Sequence, residues 1–255
     1  MPRILKMTGF FILLLLVWEW VYRRHLYSPV LFPSPIEVGR YIVEGFKDHS
    51  LLEGIYITLR RLLLGYSISV AIGIPLGLLL AQSPLLQDTL GALTLGLQNL
   101  PSICWTPLAI LWIGQNETAI LFIVVMGALG SIILSTQAGV QNVSPIYVRA
   151  ARTMGSRGLH TYLKVSIPAS LPAIVTGMKM GWSFAWRSLM AGEMILFTIG
   201  VSGLGHILHM GRELLDMSRV IAVMLLIIAI GLITDKALFG RWEAHIHERW
   251  GTSKA

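Results

Sequence analysis

Charge is what this sequence has least of. Only 13% of its 255 residues are Asp, Glu, Lys or Arg, while 55% are hydrophobic. A soluble domain averages about 25% charged residues, so a deficit of this size excludes an ordinary globular surface facing water. Cysteine is nearly missing too: Cys104 stands alone, so no intrachain disulfide can form and cysteine usage does not distinguish the redox compartment. No lysine follows a glycine, the six being preceded by Leu5, Phe46, Leu163, Met178, Asp235 and Ser253. A nucleotide-binding loop needs Gly-Lys followed by Ser or Thr, so that the backbone cradles phosphates and the lysine reaches them. The chain therefore offers no nucleotide site of its own. Histidines and acids are sparse. His206 and His209 stand three apart, but no acid or thiol is spaced to complete a ligand set, so no metal site is expected. No nucleophile–base cluster is visible by spacing, and no catalytic residue is assigned. The formal charge of +7 could suggest nucleic acid, yet no basic run is interleaved with aromatics. Lys and Arg of a membrane chain sit beside anionic headgroups, so a lipid bilayer is expected and no nucleic-acid partner is.

What is present is length of apolar run. Six blocks approach the roughly 20 residues that cross a bilayer as helix. They fall at residues 7–22, 62–81, 89–113, 119–137, 171–197 and 220–238, predicting an all-α membrane protein with six spans. The first lacks a small-residue cleavage site in Trp18-Glu19-Trp20-Val21-Tyr22-Arg23-Arg24 and reads as an uncleaved anchor. A polar stretch follows, with a turn at Leu31-Phe32-Pro33-Ser34-Pro35 and an amphipathic helix over 36–46. Gly73 and Gly77 present a small-xxx-small face that admits a neighbouring helix closely. Pro101 and Pro107 interrupt the third span. Three regions result: an N-terminal anchor with its amphipathic segment (1–54), a transmembrane core (55–240) and a charged tail (241–255). Trp18, Trp20, Tyr22, Trp242 and Trp250 read as interfacial anchors. With the N-terminus inside, ten Lys and Arg fall on the inner side and eight on the outer, a weak bias toward that orientation.

The stretch Val148-Arg149-Ala150-Ala151-Arg152-Thr153-Met154-Gly155, leading to Val165-Ser166-Ile167-Pro168, predicts a short helix, a glycine turn, a second short helix and a proline opening a span. Paired alanines allow close packing, Gly155 admits a backbone angle other residues resist, and Pro168 suits a first helical turn. This stretch resembles the coupling motif of ABC importer permeases: Glu-Ala-Ala, three residues, Gly, nine residues, Ile-x-Leu-Pro. Ala150, Ala151, Gly155 and Pro168 match at the required spacing, and Arg149 stands where the family usually has Glu. Further stretches are similar to the nitrate/sulfonate/taurine/bicarbonate-type permeases, whose relatives also import pyrimidine vitamin precursors. These are Leu31 to Val38, Thr58-Leu59-Arg60-Arg61-Leu62, Pro101 to Ala109, Ala191-Gly192-Glu193-Met194-Ile195 and Gly203-Leu204-Gly205.

The resemblance implies a type I ABC importer permease (MetI-like) fold in a bacterial inner membrane, with both termini cytoplasmic. It implies no cofactor in this chain, ATP being bound by cytosolic ABC ATPase subunits. It implies a second permease copy and a periplasmic or lipid-anchored substrate-binding protein as partners. The coupling residues would be Arg149, Ala150, Ala151, Gly155 and Pro168, and the cargo a small oxyanion, an organic anion or a neutral heterocycle.

Ionisable residues inside a span are costly and point to function. On the fifth span Lys179 and Arg187 lie about 80° apart around the helix, with Ser183 and Trp186 near the same stripe. A guanidinium offers a donor fork that suits an oxyanion; alternatively both cations snorkel to carbonyls, acids or headgroups. On the third span Gln98, Asn99 and Trp105 flank Pro101, where freed carbonyls face either a wet cavity or packed protein. Two rivals differ in class. A secondary transporter needs acids at helix breaks, and Glu19 and Glu193 are the deep candidates. A membrane enzyme needs a constellation that this spacing does not supply.

Overall fold

A computed structural model describes residues 3–196 and 202–249, and among them every regular element is helical. Phe197, where the fifth span was expected to end, and Trp250 and Lys254 of the expected tail lie outside the described residues. The helices are α1 (Arg3–Arg23), α2 (Pro35–Lys47), α3 (Ser50–Leu80), α4 (Pro84–Leu86), α5 (Ala92–Gln98), α6 (Thr106–Ile113), α7 (Glu117–Gln141), α8 (Pro145–Thr153), α9 (Gly158–Thr161), α10 (Ile167–Ile195), α11 (Leu204–Glu213) and α12 (Met217–Arg249). Among the described residues three stretches are long and apolar enough to cross a membrane: Ser50–Leu80, Glu117–Gln141 and Met217–Gly240. In α1 every side chain from Phe10 to Val17 is more than half exposed, a continuous apolar surface that water would penalise.

The chain divides into two units, Met1–Leu59 with Glu193–Ile230, and Arg60–Gly192 with Gly231–Ala255. In the first, α2 begins where its residues dictate. The Ser34 hydroxyl accepts the Glu37 N–H at 3.1 Å, and the Glu37 carboxylate accepts the Ser34 N–H at 2.9 Å, a complete capping box with Pro35 at the helix start. Trp18 donates from its indole to the Pro33 carbonyl at 3.1 Å, so this expected interfacial anchor also holds the turn before α2. Helix α3 starts twelve residues before the expected span. Asp48 accepts both the backbone N–H and the hydroxyl of Ser50, and Leu51 is fully buried with Leu204 and Val223. Tyr41, Ile55, Ile207 and Leu226 pack around that core, which draws on α2, α3, α11 and α12. Its opening turns are therefore amphipathic, and a search for a purely apolar run passes over them.

Glu193, in the last turn of α10, is 1% exposed, and its carboxylate reaches the start of α11. Its carboxylate accepts the Thr58 hydroxyl at 2.9 Å and the Gly205 N–H at 3.0 Å, while the Thr58 hydroxyl accepts the Leu204 N–H at 2.8 Å. Two backbone donors that α11 cannot satisfy internally are thus satisfied by side chains, one of them an acid at the positive end of the helix dipole. A side chain at Gly203 would collide with that carboxylate.

The second unit is organised on α7. Cβ atoms added at Gly65 and Gly73 of α3 would lie 2.6 Å from Val124 and 2.8 Å from Ile132. One added at Gly77 would lie 2.6 Å from the Ile133 carbonyl oxygen. The expected small-residue face is therefore a contact at backbone distance. On α10, Gly181 meets the same Ile132 at 2.7 Å and Gly177 abuts Ser135. Asn116 caps α7 by accepting the Ala119 N–H at 3.0 Å, and Glu117 in its first turn lies 3.4 Å from Arg60 and 3.9 Å from the buried Arg61.

The third apolar block is broken, but not as its prolines suggested. A π-turn over Gln87–Gly91 leads into α5, and Pro101 is extended (φ −53°, ψ 135°) and ends the helical path. Ser102–Trp105 form a 3-10 turn, and Pro107 lies in the first turn of α6, where a missing N–H costs nothing. Only Pro101 interrupts. Pro75 and Pro172, which no break accompanies, lie inside α3 and α10.

Two substitutions test this packing. Gly77→Val should lose about 1–3 kcal/mol, because the displaced neighbour is backbone and cannot rotate away. Thermal unfolding in detergent should show a lower midpoint than wild type; an unchanged midpoint contradicts the close α3–α7 approach. Glu193→Leu strands the Thr58 hydroxyl and the Gly205 N–H at roughly 1–3 kcal/mol each, so it should be markedly less stable than Glu193→Gln. Equal stability of the two variants would show that these hydrogen bonds do not hold α11.

Candidate functional site

Two places in the second unit gather the residues singled out by sequence. The first is the elbow between α7 and α10. Helix α8 opens with Pro145 at its first turn and ends in a Schellman motif. The Ser156 N–H donates to the Ala151 carbonyl at 3.0 Å, and the Gly155 N–H donates to the Arg152 carbonyl at 3.0 Å. Gly155 takes φ +88°, the left-handed conformation this motif requires of its terminal residue. A side chain there would meet open space, so conformation and not room selects glycine. Ala151 is buried against the elbow, while Arg149 and Ala150 are exposed. Below α8 lies a cavity of about 580 Å³ lined by Tyr147, Ala150, Ala151, Met154, Lys164, Val165 and Ala169.

Two hydrogen bonds fix the return of the chain. Ser156 and Thr161 share one at 2.9 Å, and the Tyr162 hydroxyl donates to the Leu78 carbonyl of α3 at 2.6 Å. Burial pushes the Tyr162 phenol above its ordinary pKa. The expected second short helix does not end before the span. From α9 the backbone continues through a π-turn over Tyr162–Ser166 into α10, with the Ile167 N–H donating to the Tyr162 carbonyl. Pro168 thus lies in a continuous helical path, not at a fresh start. An interior proline clashes with the carbonyl four residues back, and the widened turn gives that carbonyl room.

The second place is a cavity of about 280 Å³ between α5, its following turn, α7 and α10. Gln98, Asn99, Pro101, Ser102, Phe184 and Arg187 are among its lining residues. Three of the residues proposed from sequence therefore meet there: Gln98, Asn99 and Arg187. The Arg187 guanidinium lies 5.8 Å above the Phe184 ring. Gln98 packs its stem against Gly130 of α7.

The other four lie elsewhere. Trp105 is buried edge-on to Phe122, with ring centroids 6.2 Å apart. Trp186 faces Gly231 of α12, where an added Cβ would lie 3.3 Å from the indole nitrogen. Lys179 and Ser183 are half-buried on α10 and do not line this cavity. The expected stripe divides: Trp186 packs against α12 and Arg187 opens on the cavity, while Lys179 and Ser183 lie outside its lining.

Sequence reading passed over Ser102 and Phe184 in the cavity and Tyr147 and Met154 on the elbow. Phe184 stands one helical turn before Arg187, and Met154 and Tyr147 flank the Ala-Ala pair. Helical spacing from residues already chosen would have found them. Among the described residues no group of three or more His, Cys, Asp or Glu side chains could hold a metal.

Residues 73–238 match the family described as binding-protein-dependent transport system inner membrane component. A putative ABC transporter permease of Methanocaldococcus jannaschii is 32% identical over 89% of this chain and 85% of its own length. The taurine transport system permease protein of Escherichia coli is 28% identical over 90% of this chain and 84% of its own. In structure, the chain is similar to one from inward-facing forms of the MetNI methionine ABC transporter. The TM-score is 0.56 at 22% identity, covering 73% of this chain and 95% of that one. That likeness gives the fold, in which every regular element among the described residues is helical. By the extent of the family match, this chain belongs to the binding-protein-dependent transport system inner membrane components and is an ABC permease subunit, a transport protein with no catalytic site of its own.

Proposed function

We propose that this permease forms half of a dimer through which an ATP-driven importer brings a small oxyanion or organic anion into the cell. The cargo would be nitrate, a sulfonate such as taurine, or bicarbonate. The observation that carries this reading is the rigid elbow. A Schellman-capped α8 presents exposed Arg149 and Ala150, and its return is continuous with α10. A cytosolic ATPase subunit grips this elbow, and a periplasmic or lipid-anchored binding protein delivers cargo to the opposite face. Six spans place both termini in the cytoplasm of a bacterial inner membrane. The coupling residues are Arg149, Ala150, Ala151, Gly155 and Pro168.

Mechanism follows from connection. ATP closes the ATPases and the elbow moves with them. Because α10 continues the elbow without a hinge, its displacement reaches Arg187 about 28 Å along the helix from Pro168. There it changes the cavity shared with Gln98 and Asn99, which alternates between the two faces of the membrane. Arg187 supplies the donor fork for an anion at that point. Lys179, Ser183, Trp186 and Trp105 hold the surrounding helices or line the path further along.

One observation favours a second reading. The Arg187 guanidinium already lies over an aromatic face, which satisfies part of its charge structurally. On that reading the cargo is a neutral heterocycle, and Gln98 and Asn99 recognise it through their carboxamides.

Reconstituted transport with the complete importer separates these. Gly155→Trp should abolish uptake while membrane insertion stays normal, since a bulky side chain at φ +88° breaks the turn; retained uptake would count against the elbow. Arg187→Gln should raise the apparent KM for an anion about tenfold, the loss expected of one charge-assisted hydrogen bond. An unchanged KM, together with calorimetric binding of a pyrimidine and no anion by the binding protein, moves the assignment to the second reading.

A further inference from the structure

Between Gln141 and Pro168 the sequence carries Arg149, Arg152, Arg157, His160 and Lys164 and not one Asp or Glu. All five are exposed, and among the described residues none makes a hydrogen bond or ion pair through its side chain. Some surface cations elsewhere find acids, as Arg23 with Glu19 at 2.6 Å, Arg60 with Glu117 at 3.4 Å and Arg219 with Asp216 at 3.4 Å, while others such as Arg40, Lys47 and Arg212 stand singly without one among the described residues. The elbow gathers five basic residues in one stretch of chain that holds no acid to compensate them. It also exposes large apolar side chains: Met154 at 81%, Leu159 at 66% and Ile146 at 61%. Exposed Met and aromatic groups rimmed by arginine are the composition of a protein interface core and its edge.

We infer that the elbow recognises its partner by charge. The ATPase surface that receives α8 is an acidic cleft, with carboxylates opposite Arg149 and Arg152 and an apolar seat for Met154. The inference rests on the coupling reading above and adds the chemistry of the partner. Arg149 and Arg152 are three apart on α8, so they project from neighbouring positions of one face. Each guanidinium presents a planar donor fork that pairs with a carboxylate through two hydrogen bonds. Met154 stands beside them on a turn held by two backbone hydrogen bonds, and the cavity of about 580 Å³ beneath α8 accepts an intruding side chain. Anionic lipid headgroups would also attract these cations. A headgroup layer, however, has no use for a rigidly presented methionine or a cavity behind it, and both fit a protein surface. Charge at the edge of an interface acts on partner choice and encounter rate, so an acid-poor cleft from another importer would be rejected.

The test is the affinity of the importer's purified ATPase subunit for the full-length permease in nanodiscs of phosphatidylcholine, titrated from low to high salt. Wild-type affinity should fall at least about tenfold as sodium chloride rises from about 50 to 300 mM, since exposed charge pairs are screened over this range. The paired substitution Arg149→Glu with Arg152→Glu should bind at least about thirtyfold more weakly at low salt and lose the salt dependence. The charge-keeping pair Arg149→Lys with Arg152→Lys should retain it, which separates loss of charge from loss of fold. If the glutamate pair binds like wild type while Gly155→Trp does not bind, the elbow docks without charge recognition and this inference is overturned, though the coupling reading stands. If both bind like wild type, the ATPase docks elsewhere and the coupling reading itself fails. If the glutamate pair differs from wild type only in nanodiscs containing phosphatidylglycerol, the cations serve the headgroups and the acidic cleft is overturned.

Discussion

Every backbone N–H and C=O inside an apolar phase must find its partner within the protein, and this requirement shapes the whole chain. Unbroken helices meet it within themselves, which is why α3, α7 and α12 are long and need no side-chain assistance along their length. Where a helix ends or breaks, the unpaired groups are met by specific devices. Ser34 and Glu37 close the start of α2. Thr58 and Glu193 serve the first N–H groups of α11. The Ser156 and Gly155 N–H groups serve the last carbonyls of α8. A π-turn accommodates Pro168. The break at Pro101 stands apart in that it borders a cavity, which Gln98, Asn99 and Arg187 also line.

Close backbone approach supplies the stiffness on which the proposed mechanism draws. Lipid tails are as apolar as leucine, so helices in a membrane gain little from burial alone and depend on packing contact. Glycines on α3 and α10 bring both against α7, with Ile132 touched from both sides by Gly73 and Gly181. Contacts of this kind slide poorly but tilt together. In the proposed mechanism, an elbow continuous with α10 would therefore move a packed group and not a single helix.

Charge is distributed with similar economy. In the membrane-facing parts it is scarce and held, as by Glu193 in its network. At the elbow it is plentiful and uncompensated, and Arg149 reverses the sign that the resemblance leads one to expect. A cation at the tip of the proposed coupling element leaves the elbow's backbone geometry intact, because that geometry comes from Gly155 and the two capping hydrogen bonds. On the inference drawn above, it changes instead what the elbow attracts.

Hydropathy and spacing alone determined that the chain is helical and built for a bilayer, that an amphipathic helix follows the turn at residues 31–35, and that Ala150, Ala151 and Gly155 form a turn-forming unit. These are local properties: periodicity, cap chemistry and a left-handed glycine depend on near neighbours. The extra turns of α3 were hidden because their burial comes from Leu204 and Val223, far along the chain. Which of two prolines breaks the third block depended on backbone context that a proline's presence does not specify. The division of the α10 stripe was likewise a tertiary decision. Helical phase put Lys179, Ser183, Trp186 and Arg187 near one another, but only the positions of α5, α7 and α12 turned Arg187 to the cavity beside Gln98 and Asn99 and set Trp186 against Gly231. A residue's phase on its helix is written in the sequence, whereas what stands opposite that phase is set by how the helices pack.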